Sequence, residues 1–118
     1  MTPMAEVTFR GITPSVELKA LIQERTTRLE QRSDDIRGCY VTIELQTRPR
    51  GAGYSPNVLI DVQMPGERLL VRNQNGRSDD VLAAVRHAFD SATRQIEEYK
   101  TRIKLRVELC ELVNPVTD

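Results

Sequence analysis

Residues 78–104 read SDDVLAAVRHAFDSATRQIEEYKTRIK. Apolar residues recur at Val81, Val85, Ala88, Ala92, Ile96, Tyr99 and Ile103 in steps of four and three, with Leu82 and Phe89 beside them. A 3.6-residue repeat gathers those positions on one side, so the spacing predicts an amphipathic helix whose apolar stripe is wide enough to lie across a sheet. Ser78 or Asp79 is placed to cap the first turn, and Asp79 and Asp80 suit the positive end of the helix dipole. Lys100, Arg102 and Lys104 suit the negative end. Such a helix needs a surface to cover, and the residues before it supply one.

Upstream, period-two patterns dominate. Val58, Ile60, Val62 and Met64 alternate with polar neighbours, Pro65-Gly66 turns the chain, and Arg68 to Arg72 returns as a further strand. Cys39 to Gln46 alternates most clearly, with Cys39, Val41, Ile43 and Leu45 on one face and Tyr40, Thr42, Glu44 and Gln46 on the other. Between these strands TRPRGAGYSP (47–56) reads as a loop from its prolines and glycines. At the start, Glu6 to Arg10 forms a short strand with Val7 and Phe9 facing one way, and Gly11 ends it. A first helix follows, with Thr13 as the predicted N-cap, Pro14 as the first helical residue and Glu17 in the first turn. It runs to about Arg32 on a stripe of Leu18, Leu21, Ile22 and Leu29.

The order is β-α-β-β-β-α. Short connections between the last three strands favour an antiparallel meander, with both helices on one face and Thr42, Glu44, Asp61 and Gln63 on the solvated face. The fold class is α+β, a two-layer sandwich of a four-stranded sheet and two helices. The tail, 105–118, fits two patterns. Leu105, Val107 and Leu109 alternate with Arg106 and Glu108 like a strand that pairs with a sheet edge, whereas Ile103, Val107 and Cys110 would continue the helical stripe. The alternation tips the reading slightly towards an added strand.

A chain of 118 residues is one domain by length, and roughly two thirds of its unfolded surface can be buried without a cofactor or cross-link. Its 17 basic and 17 acidic residues argue against a disordered polyelectrolyte and against a non-specific nucleic-acid binder, though they leave room for a basic patch. MTPMAEVTF lacks the basic start and apolar run of a signal peptide, and no apolar stretch approaches ~20 residues, so a cytoplasmic protein without membrane association is expected. Cys39 and Cys110 stand far apart without Cys-x-x-Cys spacing and read as reduced thiols; no metal or cofactor site is expected. The single histidine, His87, falls opposite the apolar stripe with no nucleophile or second ligand at a useful spacing, and GAG (51–53) does not precede a helix as a phosphate loop does. Catalysis and a small-molecule substrate are therefore not expected.

The helix charges carry more information. Arg25, Arg28 and Arg32 line one side of the first helix, and Arg86, Thr93, Lys100 and Lys104 share a flank of the second. Arginine forks and lysine charges on two neighbouring helices would suit an RNA backbone. A bland alternative is a salt-bridge ladder: Asp90, Arg94, Glu98 and Arg102 stand four apart with alternating sign, worth ~0.3–0.5 kcal/mol per pair. Both readings stay open for Arg94 and Arg102. For the ridge on the first helix, Glu24 and Glu30 project elsewhere on the helical wheel, which favours RNA. Arg48, Arg50 and Tyr54 would add a basic loop with a stacking ring.

Over about residues 6–104 the chain resembles the ribosome hibernation-promoting factors and ribosome-associated inhibitors of bacteria. VTFRGITPSVELKALIQERTTRLEQ (7–31) is similar to that family's opening strand and helix, including its Lys/Arg-Leu-Glu signature at Arg28-Leu29-Glu30. DDVLAAVRHAFDSATRQIEEYKTRIK (79–104) is similar to its acidic start, Ala-Ala pair, Arg-Gln and basic close. The resemblance implies a double-stranded-RNA-binding-like domain over 1–104, followed by the tail at 105–118. It implies binding of the small ribosomal subunit and its rRNA at the decoding region, with tRNA and mRNA excluded. Carried over residue by residue, the rRNA contacts are Lys19, Arg25 and Arg28 on the first helix and Arg94, Lys100, Arg102 and Lys104 on the second. Arg32 and Arg86 join them by their place on the same flanks.

The chain departs from the family pattern in places. Ser91 and Glu98 stand where members often have lysine, and the charges from Asp79 to Lys104 sum to zero. GYSPNVLIDVQMPGERLLV (53–71) is more similar to a variant found fused to a cold-shock domain, and the 47–56 loop is longer than in the shortest members. Two functions follow as expectations: a non-enzymatic translation inhibitor anchored to rRNA, or a protein-interaction regulator of the same fold without an RNA surface, homodimeric through its tail.

Overall fold

A computed structural model describes residues 5–47, 54–73 and 80–113. Its elements are β1 (Ala5–Arg10), α1 (Val16–Glu30), β2 (Gly38–Thr47), β3 (Tyr54–Met64), β4 (Glu67–Arg72) and α2 (Val81–Val113). The sheet is mixed, in the order β1-β2-β3-β4. β1 runs parallel to β2 because α1 carries the chain back across the sheet between them, whereas β2, β3 and β4 form the antiparallel meander.

Register explains the core. Cys39 pairs with Val62, Val41 with Ile60 and Ile43 with Val58, while Val62 and Ile60 pair on their other side with Leu69 and Val71. All of these side chains emerge on one face and are buried. Leu18, Ile22 and Leu29 of α1 and Val85, Ala88, Phe89, Ala92, Ile96 and Tyr99 of α2 close over them, so both helices cover the same face. The small Ala88 and Ala92 let α2 approach the sheet closely, and Phe89 fills the space beside them.

Helix ends depart from the sequence expectation. Ser15, not Thr13, caps α1, its hydroxyl accepting from the Leu18 amide at 3.1 Å, so Pro14 lies before the helix rather than inside its first turn. The serine fits because its side chain stands three residues ahead of Leu18, the first buried position of the helix. At α2 the Asp80 carboxylate accepts from the Leu82 amide at 3.0 Å; the expected caps Ser78 and Asp79 lie outside the described residues.

Strand β3 also begins earlier than the loop composition suggested, with Tyr54, Ser55 and Pro56 paired to β2. Pro56 is tolerated because β4 ends at Arg72, opposite Leu59, so no strand needs the proline's missing donor. Asn73 continues the ladder there: its side-chain oxygen accepts from the Val58 amide and its side-chain nitrogen donates to the Pro56 carbonyl, both at 2.9 Å. Arg48 and Arg50 lie outside the described residues. At the other end of β3, Gly66 adopts a φ of 75°, which a Pro-Gly turn supplies without strain.

The tail is the largest correction. Residues 105–113 continue α2 and add no strand among the described residues. Leu105, Val107 and Leu109 stand on solvent, because a sustained helix places neighbours i and i+2 on different sides and alternation in sequence then carries no structural meaning. The molecule is accordingly long, 68 Å in its greatest dimension.

Candidate nucleic-acid interface

α1 and α2 lie beside each other, and the nine expected cations distribute around them unevenly. Arg25, Arg28 and Arg32 follow the flank of α1 that turns towards α2 or away to solvent. Lys19 lies on the opposite flank, at the rim of a groove of about 340 Å³ between α1 and β1 whose apolar lining includes Val7, Phe9 and Ile22. Lys19 is therefore not part of the ridge.

Across the seam the cations meet acids. Arg25 reaches Asp90 of α2 at 3.3 Å, and Arg32 reaches Glu97 at 3.6 Å. Lys100 completes this second junction: its ammonium lies 3.5 Å from Glu97 and donates to the Arg32 carbonyl at 2.9 Å. That last bond satisfies a carbonyl just past the end of α1, where a cation also meets the negative end of the helix dipole. Arg28 pairs with Glu24 one turn earlier at 2.8 Å, so Glu24 does not point away from the ridge as the wheel suggested.

The expected ladder along α2 is replaced by bonds between elements. Asp90 turns to Arg25, and Arg102 leaves Glu98 for Glu67 at the start of β4, with two bonds of 2.7 and 3.1 Å. A fork held by one carboxylate is better satisfied than a single contact along a helix. The Arg102 hydrogen bonds and charge hold the Glu67 carboxyl below the usual glutamate range and push the guanidinium up. Arg102 also packs over the Tyr99 ring at 5.8 Å from its centre.

Arg86, Arg94, Lys104 and Lys19 are exposed and have no ion pair among the described residues. The nine cations thus fall into two kinds, four without an ion pair among the described residues, of which Lys19 stands apart from the seam, and five held by carboxylates. Arg28, Arg32, Lys100 and Arg102 are exposed, and such pairs are worth ~0–1 kcal/mol each, so a phosphate can displace the carboxylate at little cost; Arg25 is half-buried in the seam, its Nε buried without a partner among the described residues. The displaced acids stay on the same surface and lower its potential. Sequence reasoning missed Asp90, Glu97 and Glu67 as partners. Only the short-range pairs, Glu24 with Arg28 and Glu97 with Lys100, had a signal in their spacing. His87 is solvent-exposed, as its wheel position predicts, and no cluster of His, Cys, Asp and Glu suited to a metal occurs among the described residues.

The family model described as sigma 54 modulation protein / S30EA ribosomal protein matches residues 5–104. The chain belongs to that family. S30EA-type proteins are non-enzymatic factors that bind the ribosome, so this chain is a ribosome-associated factor of the hibernation and interface kind. The fold agrees. A ribosomal subunit interface protein from Coxiella burnetii superposes with a TM-score of 0.65 at 19% identity, over 82% of this chain and 97% of that one. The N-terminal domain of Thermus thermophilus Protein Y gives 0.59 at 17% identity, over 84% and 99%. At these identities the likeness is one of fold. No curated protein sequence matches the chain. The family match stops at Lys104, whereas α2 runs on to Val113. No described helix is long and apolar enough to cross a membrane.

Proposed function

We propose that this protein is a cytoplasmic translation inhibitor that binds small-subunit rRNA at the decoding region and keeps tRNA and mRNA out by its bulk. The observation that carries this reading is the family match over the whole two-layer domain, 5–104, joined to a two-helix surface whose cations are either free or lightly held. Arg25, Arg28, Arg32, Arg86, Lys100 and Lys104 would take the phosphates along the seam, with Arg94 and Arg102 on the outer side of α2 and Lys19 making a separate contact beyond α1. A protein-binding regulator is the second reading, favoured by the acids at the seam and by a formal net charge of +0.

Co-sedimentation with purified small subunits across a salt series separates the two. If only the four free cations engage, log affinity falls by about 3–3.5 per tenfold rise in salt; if all nine do, the slope is about 6–8. Arg25→Glu combined with Arg28→Glu lowers the slope and the affinity while circular dichroism stays unchanged. Absence of binding at low salt would overturn the rRNA reading in favour of a protein partner.

A further inference from the structure

Strand β1 ends the sheet on one side, and among the described residues no strand pairs with its outer edge. Its inward side chains are also poorly covered: Val7 is 38% exposed although it shares the helix face with its register partner Val41. Beside it, the outer flank of α1 leaves the groove of about 340 Å³ lined by Val7, Phe9 and Ile22. A cleft of that size and apolar lining is in the range that holds a ligand.

The two ends of the groove carry opposite charge. Lys19 and Glu30 both line it. Eleven residues, or three turns, separate them on α1, which puts them on one flank with ~16 Å between them. Glu30 stands at the Ala5 end, because its charge reaches Cys39, the register partner of Ala5. Lys19 stands at the Phe9 end. Lys19 has no ion pair among the described residues, and the Glu30 Oε1 is buried without a hydrogen-bond partner. A buried carboxylate oxygen without a donor is costly, and a donor entering along the groove would meet it.

We propose that this groove is a strand-addition site for an extended segment of another protein, which pairs with the outer edge of β1 and lays alternate side chains inward. An acidic side chain meets Lys19, two apolar ones cover Val7 and Phe9, and a basic one meets Glu30. A strand rises ~3.4 Å per residue, so about six residues carry it from one charge to the other, the long end side chains reaching inward. Main-chain hydrogen bonds then hold the segment and the groove selects its side chains. A second copy of this chain is a poorer occupant, since joined through β1 it would add another groove rather than side chains to fill the first. The groove lies on the flank of α1 away from the seam, so the seam cations stay open when it is filled.

A capped heptapeptide tests this, with glutamate first, lysine last, valine third and fifth, and threonine elsewhere. Running antiparallel to β1, it sets its acid at Lys19 and its base at Glu30. Titrated into the full isotope-labelled chain without ribosomes, it should give saturable NMR shifts at the β1 amides and at Gln23. Replacing the peptide's lysine by glutamate weakens binding about tenfold, since two acids then meet at Glu30. Glu30→Lys weakens the original peptide to the same degree and restores the altered one. Val7→Asp removes binding while the circular dichroism spectrum stays unchanged, because Val7 already stands partly in water. No shift at millimolar peptide, shifts that miss β1, or equal binding of both peptides to the unmodified chain would overturn the proposal. So would β1 shifts that follow protein concentration alone, which would give the edge to a second copy.

Discussion

From Val81 to Ile103, α2 lies on β3 and β4 and supplies much of the core; from Lys104 to Val113 the same helix runs past the sheet into solvent. The apolar period does not change at the boundary, because Ile96, Tyr99, Ile103, Val107 and Cys110 form one stripe. What changes is the surface underneath. The β3–β4 turn ends the sheet near the middle of the helix, where the Tyr99 hydroxyl donates to the Pro65 carbonyl at 3.0 Å and Arg102 clasps Glu67. Helix formation needs a nucleus, and the packed part provides it; each added residue then costs little, and Lys, Leu, Arg and Glu have good propensity. An amphipathic pattern is thus enough to extend a helix and not enough to bury it.

The sharpest contrast is energetic. Phe89 is 2% exposed and Leu109 is 59% exposed on one continuous helix. Phe89→Ala removes a filled volume between α2 and the sheet and should cost about 3–5 kcal/mol in urea unfolding. Leu109→Ala should change stability by less than ~0.5 kcal/mol in dilute solution. A large loss at Leu109 would mean that the extension is buried when the protein is free.

The two cysteines draw the same line chemically. Cys39 is buried on β2 and Cys110 exposed on the extension. Burial, aided by the nearby Glu30 and Asp61 charges, pushes the Cys39 thiol from about 9 up to about 12. A thiol reagent at pH 8 should therefore modify Cys110 in seconds to minutes and reach Cys39 only through unfolding. The folded chain keeps the Cys39 proton in a range where the unfolded chain has lost it. This contribution to stability is fully present below about pH 9 and falls as pH climbs towards 12. Cys39→Ala should flatten that alkaline decline, read as the urea midpoint against pH, at the expense of a small cavity. An equally fast Cys39 in the native protein would show the sheet to be open at β2.

Much of the fold was legible because its signals are local. The alternation at Cys39–Leu45 and Val58–Met64 and the stripes of α1 and α2 name most of the buried residues. Thr13-Pro14 misled because two residues in a row satisfy capping composition, while the actual cap depends on where the first buried turn begins. The tail misled for a deeper reason: a period of two over five residues does not separate a strand from a helix that is apolar on two sides. The flanks on which the helix cations stand could be read from sequence, but not their partners. Arg25 meets Asp90, Arg32 meets Glu97 and Arg102 meets Glu67 across elements far apart in the chain. Such pairs depend on how the helices lie on the sheet, which no spacing encodes.

The smallest expected effect lies at the boundary itself. Arg102 is the last α2 side chain to hold the sheet, and its fork on Glu67 keeps that carboxyl below the ordinary glutamate range. A depressed carboxylate stabilises the folded state above its ordinary titration range, and that contribution is lost as pH falls through the lowered value. Arg102 is exposed and Glu67 only partly covered, so the change in overall stability should be slight and the titration itself is the better readout. The Glu67 side-chain carboxyl carbon, followed by NMR through an acid titration, should have its midpoint below the ordinary glutamate range. Arg102→Ala should bring it back towards that range, with Arg106 supplying only a minor residual pull. If Glu67 titrates in the ordinary range in the unmodified chain, the clasp is absent in solution, and the point where α2 leaves the sheet must lie nearer Tyr99.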